Sequence, residues 1–318
     1  MELATISGRI QPPKRGSKEI KHLLFADDML VFCRGNSSSI AALKSMLKDL
    51  YLFTGLRMNN DKSKVFLSKG CRNKMTIAGK LGVRQGTLPL KYLGLPLTSI
   101  YPKTKHFAPL IDSTRRKVDG WKINLLSFPG RIELIKSVLQ NLISYWVSSY
   151  KLPRSVVREL EYTYAKFLWN GRMHTWSCDV ICTPKKEGGT GLGRVSDIVK
   201  AAGVRFVWRV CTSKNYWSGW MQAHYLKGKH ISEAQCTLLD SGTWKWIIQS
   251  KTNALQMLCK KVGNGQDTYI WLNSWLPMGK LLGHVDRAPS RTAKWMVSEI
   301  VVDGGWAKEI QNYCLYGI

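Results

Sequence analysis

Apolar and polar positions near the start of the chain alternate in blocks that predict a β-hairpin. An apolar run at residues 23–26 is followed by Asp27 and Asp28, and a second apolar run occupies residues 29–33. Residues 12–19 are polar and rich in Pro and Lys, which indicates a turn before the first run. We therefore predict two antiparallel strands joined by a tight turn that carries both aspartates.

The following segment has the period of an amphipathic helix. Apolar side chains recur at helical spacing between residues 40 and 53, the serines at 37–39 offer N-caps, and Gly55 offers a C-terminal stop. A short strand around residues 65–67 and an extended segment at 88–97 follow. The first hundred residues are therefore predicted to be α+β.

Helical periodicity dominates from residue 105 to residue 171 and predicts a compact module of three helices. Pro129 and Gly130 are expected to separate the first two, and Pro153 to open the third, which finishes near Asn170. Ten of the thirteen tryptophans lie beyond this module, in a region of mixed helix and loop. The predicted domains are 1–100, 101–172 and 173–318.

The net charge of the chain indicates the class of partner that it binds. Lys and Arg total 48 against 21 acids, a formal charge of +27 that is spread along the chain. Such an excess favours a polyanionic partner, nucleic acid first, although charge that only keeps a protein soluble is the alternative. Eight irregularly spaced cysteines indicate free thiols in a reducing compartment. No apolar run approaches the roughly 20 residues that span a bilayer.

Asp27 and Asp28 are the candidate chemistry. Adjacent carboxylates at the tip of an apolar hairpin repel one another, and a divalent cation removes that repulsion. Enzymes that join nucleotides hold two Mg²⁺ ions between carboxylates to activate the attacking hydroxyl and stabilise the leaving group. A solvated Asp-Asp turn is the alternative interpretation.

Three ordered motifs point to one family. They are His22-Leu-Leu-Phe-Ala-Asp-Asp28, Gly55-Leu-Arg-Met-Asn-Asn-Asp-Lys-Ser63 and Lys91-Tyr-Leu-Gly-Leu-Pro-Leu97. In residues and spacing the sequence resembles the reverse transcriptases of non-LTR (LINE-type) retrotransposons, plant type. The resemblance implies that Asp27 and Asp28 are catalytic and bind Mg²⁺. It also implies that Lys62, Tyr92 and Gly94 contact the nucleotide or the primer.

The resemblance continues through residues 121–171, where it implies a helical thumb-like module that follows a partial palm. Within the predicted module at 101–172, Arg115, Arg116, Lys117 and Arg131 are expected to bind nucleic acid, as RNA, DNA or an RNA–DNA duplex. A solvated helical face is the alternative for the first three. Segments at 182–189 and 263–275 resemble the region that precedes the family's zinc-binding segment. Asn273 stands where the family more often has Asp. A nuclear location and the absence of a membrane anchor are implied as well.

The sequence also departs from the family. A second metal-binding aspartate is expected well upstream of the hairpin, and the acids that precede Asp27 are Glu2 and Glu19, neither in a matching motif. We therefore expect a C-terminal fragment of an RNA-directed DNA polymerase that binds Mg²⁺ weakly or not at all and is inactive alone. The alternatives are a non-catalytic, basic nucleic-acid-binding module and a degenerate transposon-derived product.

Two further patterns suggest sites that we do not favour. His174, Cys178 and Cys182 are spaced four apart but lack a fourth zinc ligand. The glycine-rich stretch 188–193 lacks the spacing of a dinucleotide-binding or phosphate-binding loop. We expect scattered thiols in the first case and an ordinary loop in the second.

Overall fold

The computed structural model describes residues 20–68, 70–71, 74–170, 178–276, 279–281, 294–302 and 305–306. The chain forms two compact units, Met1–Pro102 and Lys103–Ile318. The predicted α+β class is confirmed, because small antiparallel hairpins in the first unit are followed by a predominantly helical second unit. The division of residues 103–318 into two domains at residue 172 stays a prediction.

The described part of the first unit contains two helices and three two-stranded sheets. Its elements are β1 (His22–Phe25), β2 (Asp28–Val31), α1 (Ser37–Thr54), β3 (Lys64–Val65), α2 (Lys74–Leu81), β4 (Arg84–Gln85), β5 (Leu90–Tyr92) and β6 (Leu95–Leu97). Strands β1 and β2 pair antiparallel, as do β5 and β6, whereas β3 and β4 are parallel.

Helix α1 is fixed by its two ends. The Asn36 side chain accepts a hydrogen bond from the backbone N–H of Ser39 at 2.9 Å, so Asn36 is the N-cap and the expectation that a serine caps the helix is wrong. An asparagine oxygen reaches the N3 amide well from the capping position. Gly55 ends the helix as predicted, with a φ of 72° and its N–H bonded to the carbonyl of Tyr51 at 2.8 Å.

This unit buries little of its apolar surface. Ile40 and Ile77 are buried where α1 meets α2. By contrast Phe25, Leu52 and Phe53 are 60%, 69% and 78% exposed. Among the described residues, the hairpin and the last turn of α1 therefore present apolar side chains that the unit itself does not cover.

The second unit is built from helices around a continuous core. Its elements are α3 (Ala108–Gly120), α4 (Phe128–Leu134), α5 (Gln140–Val147), α6 (Arg154–Leu168), α7 (Cys178–Ile181), α8 (Val195–Thr212), α9 (Tyr216–Met221), α10 (Gly242–Met257), β7 (Ser274–Leu276), β8 (Gly279–Lys280), β9 (Val301–Val302) and β10 (Gly305–Trp306). A π-helical segment, Ile135–Leu139, joins α4 to α5, and another, Gln222–Leu226, follows α9.

Pro129 and Gly130 do not separate two helices, so that prediction is wrong. They lie in the first turn of α4, where the Ser127 side chain caps the helix by accepting a hydrogen bond from the Gly130 N–H at 3.3 Å. Proline is tolerated there because the first-turn amides have no partner inside the helix. The separation lies earlier, at a short 3₁₀ turn, Ile123–Leu125.

The core of this unit extends across both halves of its sequence. Helix α6 packs on α3 and α4, and α8 packs on α5, α6 and α10. The buried residues of these helices include Leu110, Ile143, Leu160, Phe167, Val207 and Ile247, and Leu139 of the π-helical segment is buried as well. Gly203 allows α8 to approach α10 closely, since an added Cβ would lie 2.8 Å from Nε1 of Trp246.

The glycine-rich stretch 188–193 is an ordinary loop, as predicted, and it is held by side chains from the π-helical region. Nζ of Lys136 donates to the Thr190 carbonyl at 2.6 Å, and Nε2 of Gln140 donates to the Gly193 carbonyl at 2.7 Å. Gly191 has a φ of 65°, a backbone conformation that favours glycine. The loop carbonyls are thus occupied by protein donors.

A smaller cluster of buried apolar residues lies in the C-terminal part of the described chain. It contains Ile270, Trp271, Leu276, Leu281, Val297 and Ile300. Within the residues that the structure describes, no helix combines the length and apolar character needed to cross a bilayer.

Candidate functional site

The predicted hairpin of two antiparallel strands and a tight turn is confirmed, but the turn contains one of the two aspartates and not both. The register pairs Phe25 with Asp28, so the loop consists of two residues, Ala26 and Asp27. Ala26 has a φ of 51°. Positive φ at the first loop position is typical of the tight turns that match the twist of paired strands. Asp27 therefore lies in the turn, Asp28 begins β2, and both side chains are exposed.

The described residues fit a two-metal site poorly. Asp49 and Asp61 are the other acids in the described part of the first unit, and they lie in α1 and in the turn after it. No group of three or more His, Cys, Asp or Glu side chains that could hold an ion occurs among the described residues. Two adjacent carboxylates can hold one ion weakly, whereas two ions require further ligands between them.

Lys62 lies in a turn organised by Asn59. Oδ1 of Asn59 accepts hydrogen bonds from the backbone N–H groups of Asp61 and Lys62, both at 3.1 Å. Asn and Asp side chains commonly close turns in this way. The Lys62 side chain is exposed, so its ammonium is available to a ligand.

Tyr92 and Gly94 belong to the β5–β6 hairpin. Tyr92 pairs with Leu95, which leaves Leu93 and Gly94 as a two-residue loop with φ of 48° and 82°. Two positive φ values define a type I′ turn, and glycine adopts the second without strain. The structure thus gives Gly94 a role in the turn, and its predicted contact with substrate stays a prediction. Tyr92 is half-buried.

The basic cluster on α3 is partly engaged within the protein. Arg115 forms an ion pair with Glu159 of α6. Arg116 donates from Nη2 to Oγ of Ser113 at 3.2 Å. Lys117 is exposed, and the described part of the chain offers it no ion-pair partner. These three cations therefore differ in how readily a phosphate could reach them.

Arg131 has a structural environment. Its guanidinium donates to the Leu168 carbonyl at 3.0 Å and to the Ile123 carbonyl at 3.3 Å. Its Nε is buried and has no hydrogen-bond partner in the structure. The side chain thus ties the end of α6 to the 3₁₀ turn before α4. The nucleic-acid contact that the sequence predicts for Arg131 stays a prediction.

Helix α6, which belongs to the predicted thumb-like module, carries a basic surface whose individual residues the sequence did not single out. Arg154, Arg158, Tyr162 and Lys166 follow one another at intervals of one helical turn and are all exposed, Tyr162 by 65%. We call these four residues the α6 stripe. At 1.5 Å per residue it extends about 18 Å along the helix. The i, i+4 spacing was readable in the sequence, and exposure shows that this face of the helix points to solvent.

His230 joins two segments of the second unit, residues 230–233 and residues 269–273. Its Nε2 lies 3.1 Å from Nδ2 of Asn273, and its Nδ1 lies 2.7 Å from Oγ of Ser232. Oδ1 of Asn273 accepts from the Tyr269 backbone N–H, so its Nδ2 donates to the ring nitrogen. Burial, with the nearby Lys280 ammonium, lowers the pKa of His230 to about 4. The neutral ring is therefore the form that fits this network.

The hairpin lies in a stretch of the chain that is similar to a known protein family. Residues 3–97 match the family model described as reverse transcriptase (RNA-dependent DNA polymerase). The match includes Asp27 and Asp28 and ends at the last residue of β6. A putative ribonuclease H protein of Arabidopsis thaliana is 27% identical over 199 residues. That alignment covers 58% of this chain and 31% of the relative, so the chain spans less than a third of the relative's length.

Proposed function

We propose that this chain is part of the reverse transcriptase of a LINE-type retrotransposon of the plant type, and that it does not synthesise DNA by itself. One observation carries the proposal: the Asp27-Asp28 hairpin lies inside the stretch that matches the reverse transcriptase family. A relative from a plant, although distant, agrees with the plant origin. In this proposal the chain acts in the nucleus on RNA, DNA and their hybrid.

The ligand count supports inactivity of the isolated chain. Asp27 and Asp28 bind one Mg²⁺ weakly in this proposal, and Lys62, Tyr92 and Gly94 contact the nucleotide or the primer end. Nucleotide transfer needs two ions held together so that the attacking and leaving oxygens are both stabilised. The described residues supply no third carboxylate to hold the second ion.

A second candidate function is a non-catalytic nucleic-acid-binding module. The α6 stripe favours it, because three exposed cations on one helix face can neutralise phosphates without any help from the two aspartates. The two functions are compatible in one chain. They differ in whether magnesium and the carboxylates matter for the measured activity.

A primer-extension assay on the 318-residue chain tests the proposal. With an RNA template, a DNA primer and either Mg²⁺ or Mn²⁺, we expect no incorporation above that of an Asp27→Ala, Asp28→Ala double variant. The same preparations should bind the template–primer duplex equally, which shows that the protein is folded and competent to bind. Template-dependent synthesis that the double substitution abolishes would contradict the proposed inactivity.

Metal binding provides the complementary measurement. We expect Mn²⁺ to bind weakly, as followed by electron paramagnetic resonance, and Asp28→Asn to remove that binding. If Mn²⁺ binds equally well to the parent and to the variant, the hairpin is not a metal site, and the assignment of catalytic ancestry to these aspartates fails.

A further inference from the structure

Helix α8 presents an exposed tryptophan. Ala201, Arg205, Trp208 and Thr212 recur at intervals of three or four residues and share one exposed face of the helix. Trp208 is 47% exposed, and it is the exposed one among the tryptophans whose side chains the structure describes. A large aromatic ring left in water is costly, and such rings are enriched where a protein contacts a ligand.

The segment around this helix is free of acids. From residue 198 to residue 232 the chain contains six Lys or Arg residues and no Asp or Glu. The local field is therefore positive over a long stretch that is also rich in aromatic residues. A polyanion complements that field, whereas an ordinary protein surface of mixed charge does not.

Two of these cations are available to a ligand and two are already engaged. Arg209 lies over the rings of Phe206 and Trp217, at 5.7 and 5.2 Å from their centres. Lys200 pairs with the Asp197 carboxylate at 2.9 Å. Arg205 and Lys214 are exposed and have no ion-pair partner among the residues that the structure describes.

A second exposed aromatic residue follows α8 in the sequence. Asn215 caps α9 by accepting a hydrogen bond from the Ser218 N–H at 2.8 Å, and Tyr216, 40% exposed, is the first residue of that helix. Helices α8 and α9 pack together. Exposed cations and aromatic rings therefore alternate along the sequence from Arg205 through Trp208 and Lys214 to Tyr216.

We propose that this surface, formed by Arg205, Trp208, Lys214 and Tyr216, binds single-stranded nucleic acid. Trp208 stacks on an unpaired base, while Arg205 and Lys214 contact the phosphates on either side. A duplex keeps its bases stacked on one another, so an exposed indole ring gains little from it, whereas any unpaired base offers a free face. The surface thus differs in ligand from the α6 stripe, which carries three cations around one tyrosine. The inference does not rest on polymerase ancestry.

The test measures binding of labelled oligonucleotides to the intact chain by fluorescence anisotropy. The ligands are single strands of DNA and of RNA, each of about 20 nucleotides so that they exceed one binding site, and a DNA duplex of equal length. Trp208→Ala should weaken single-strand binding by about fivefold or more, the loss expected for one stacked base. Duplex binding should change by less than about twofold.

Matched variants separate stacking from general effects. Leu238→Ala, which removes an apolar side chain that is 93% exposed, should bind both ligands like the parent. Trp208→Phe should retain most of the single-strand affinity, because a smaller ring still stacks. The proposal is overturned if Trp208→Ala binds single strands as the parent does. It is also overturned if that variant loses duplex and single-strand binding alike.

Substitution of the two exposed cations on this surface provides an independent test of the proposal. Replacing Arg205 and Lys214 with alanine should reduce the salt slope on single strands by about 0.7 for each phosphate that the variant no longer neutralises. Lys186→Ala, which replaces an exposed lysine in a 3₁₀ turn elsewhere in the unit, serves as the control and should leave the slope unchanged. An unaltered slope in the double variant would contradict the phosphate contacts. Equal binding of RNA and DNA supports recognition by stacking and charge, and tighter binding of RNA supports an added contact to the 2′-hydroxyl.

Discussion

Replacing the three cations of the α6 stripe with alanine should change the salt dependence of duplex binding. Arg154, Arg158 and Lys166 are exposed and lie on one face of a helix whose opposite face is buried. Each phosphate contact contributes about 0.9 to the slope of log K against log salt on B-DNA, so three contacts contribute about 2.7. Between about 50 and 200 mM salt, that difference changes the ratio of affinities by roughly 40-fold.

The assay is a series of duplex-binding isotherms at increasing salt, with the parent and the triple variant measured side by side. Alanine is a strong helix former and these positions are exposed, so the variant should keep the parent's circular dichroism spectrum and melting temperature. The measured slope then reports phosphate contacts and not loss of fold.

A second triple variant is the matched comparison. Arg115, Arg116 and Lys117 carry the same charge, but Arg115 is paired with Glu159 and Arg116 is hydrogen-bonded within α3. Their replacement should lower the slope by less than replacement of the α6 cations. If the α6 variant keeps the parent's slope, its cations are only solvated. If the α3 variant shows the larger change, exposure and pairing do not predict which cations contact phosphate.

Three further predictions concern stability. In chemical denaturation, Gly203→Ala should destabilise the second unit by about 1–3 kcal/mol, because the added Cβ would collide with α10. Gly79→Ala, on the open surface of α2, should instead stabilise the first unit by up to about 1 kcal/mol. Burial lowers the folded-state pKa of His230 to about 4. The stability that the neutral ring contributes to the fold is therefore complete above the unfolded pKa of 6.5 and is lost as the pH falls from there toward 4. The melting temperature should therefore decrease over that window, and His230→Gln should reduce the decrease; an equal decrease in the variant would show that other groups cause it. Arg131→Ala should lower the free energy of unfolding by about 1.5–3 kcal/mol, since two carbonyls lose a charged donor, and an accompanying loss of about 0.9 in salt slope would support its predicted contact with nucleic acid.

The sequence was most informative where local chemistry determines the backbone. Two apolar runs separated by Asp27 and Asp28 indicated the hairpin, and Gly55 indicated the end of α1, because glycine is the usual left-handed residue after the last turn of a helix. Gly94 was predicted to contact substrate on the resemblance alone, whereas the structure shows that it has a positive φ in a tight turn. In each case the decisive interaction lies within a few residues of the motif.

The sequence was least informative where contacts between distant segments decide the outcome. The error at Pro129 was local instead, because Ser127 caps the helix by accepting a hydrogen bond from the Gly130 N–H and so places the proline in the first turn. Arg131 could not be distinguished from an exposed arginine without the carbonyls of Leu168 and Ile123. The residues of the α6 stripe could not be singled out within their predicted helix, since their spacing does not reveal which face of the helix other elements cover.

The contacts of the glycine-rich loop determine whether the second unit can be cut or truncated without loss of its fold. Because Lys136 and Gln140 hold that loop and α8 packs on α5 and α6, the segments before and after residues 171–177 share one core. A specific protease site introduced into 171–177 should yield two pieces that stay together through gel filtration until denaturant is added. Expressed alone, a chain that ends at residue 170 would expose the apolar faces that α8 normally covers, and it would aggregate.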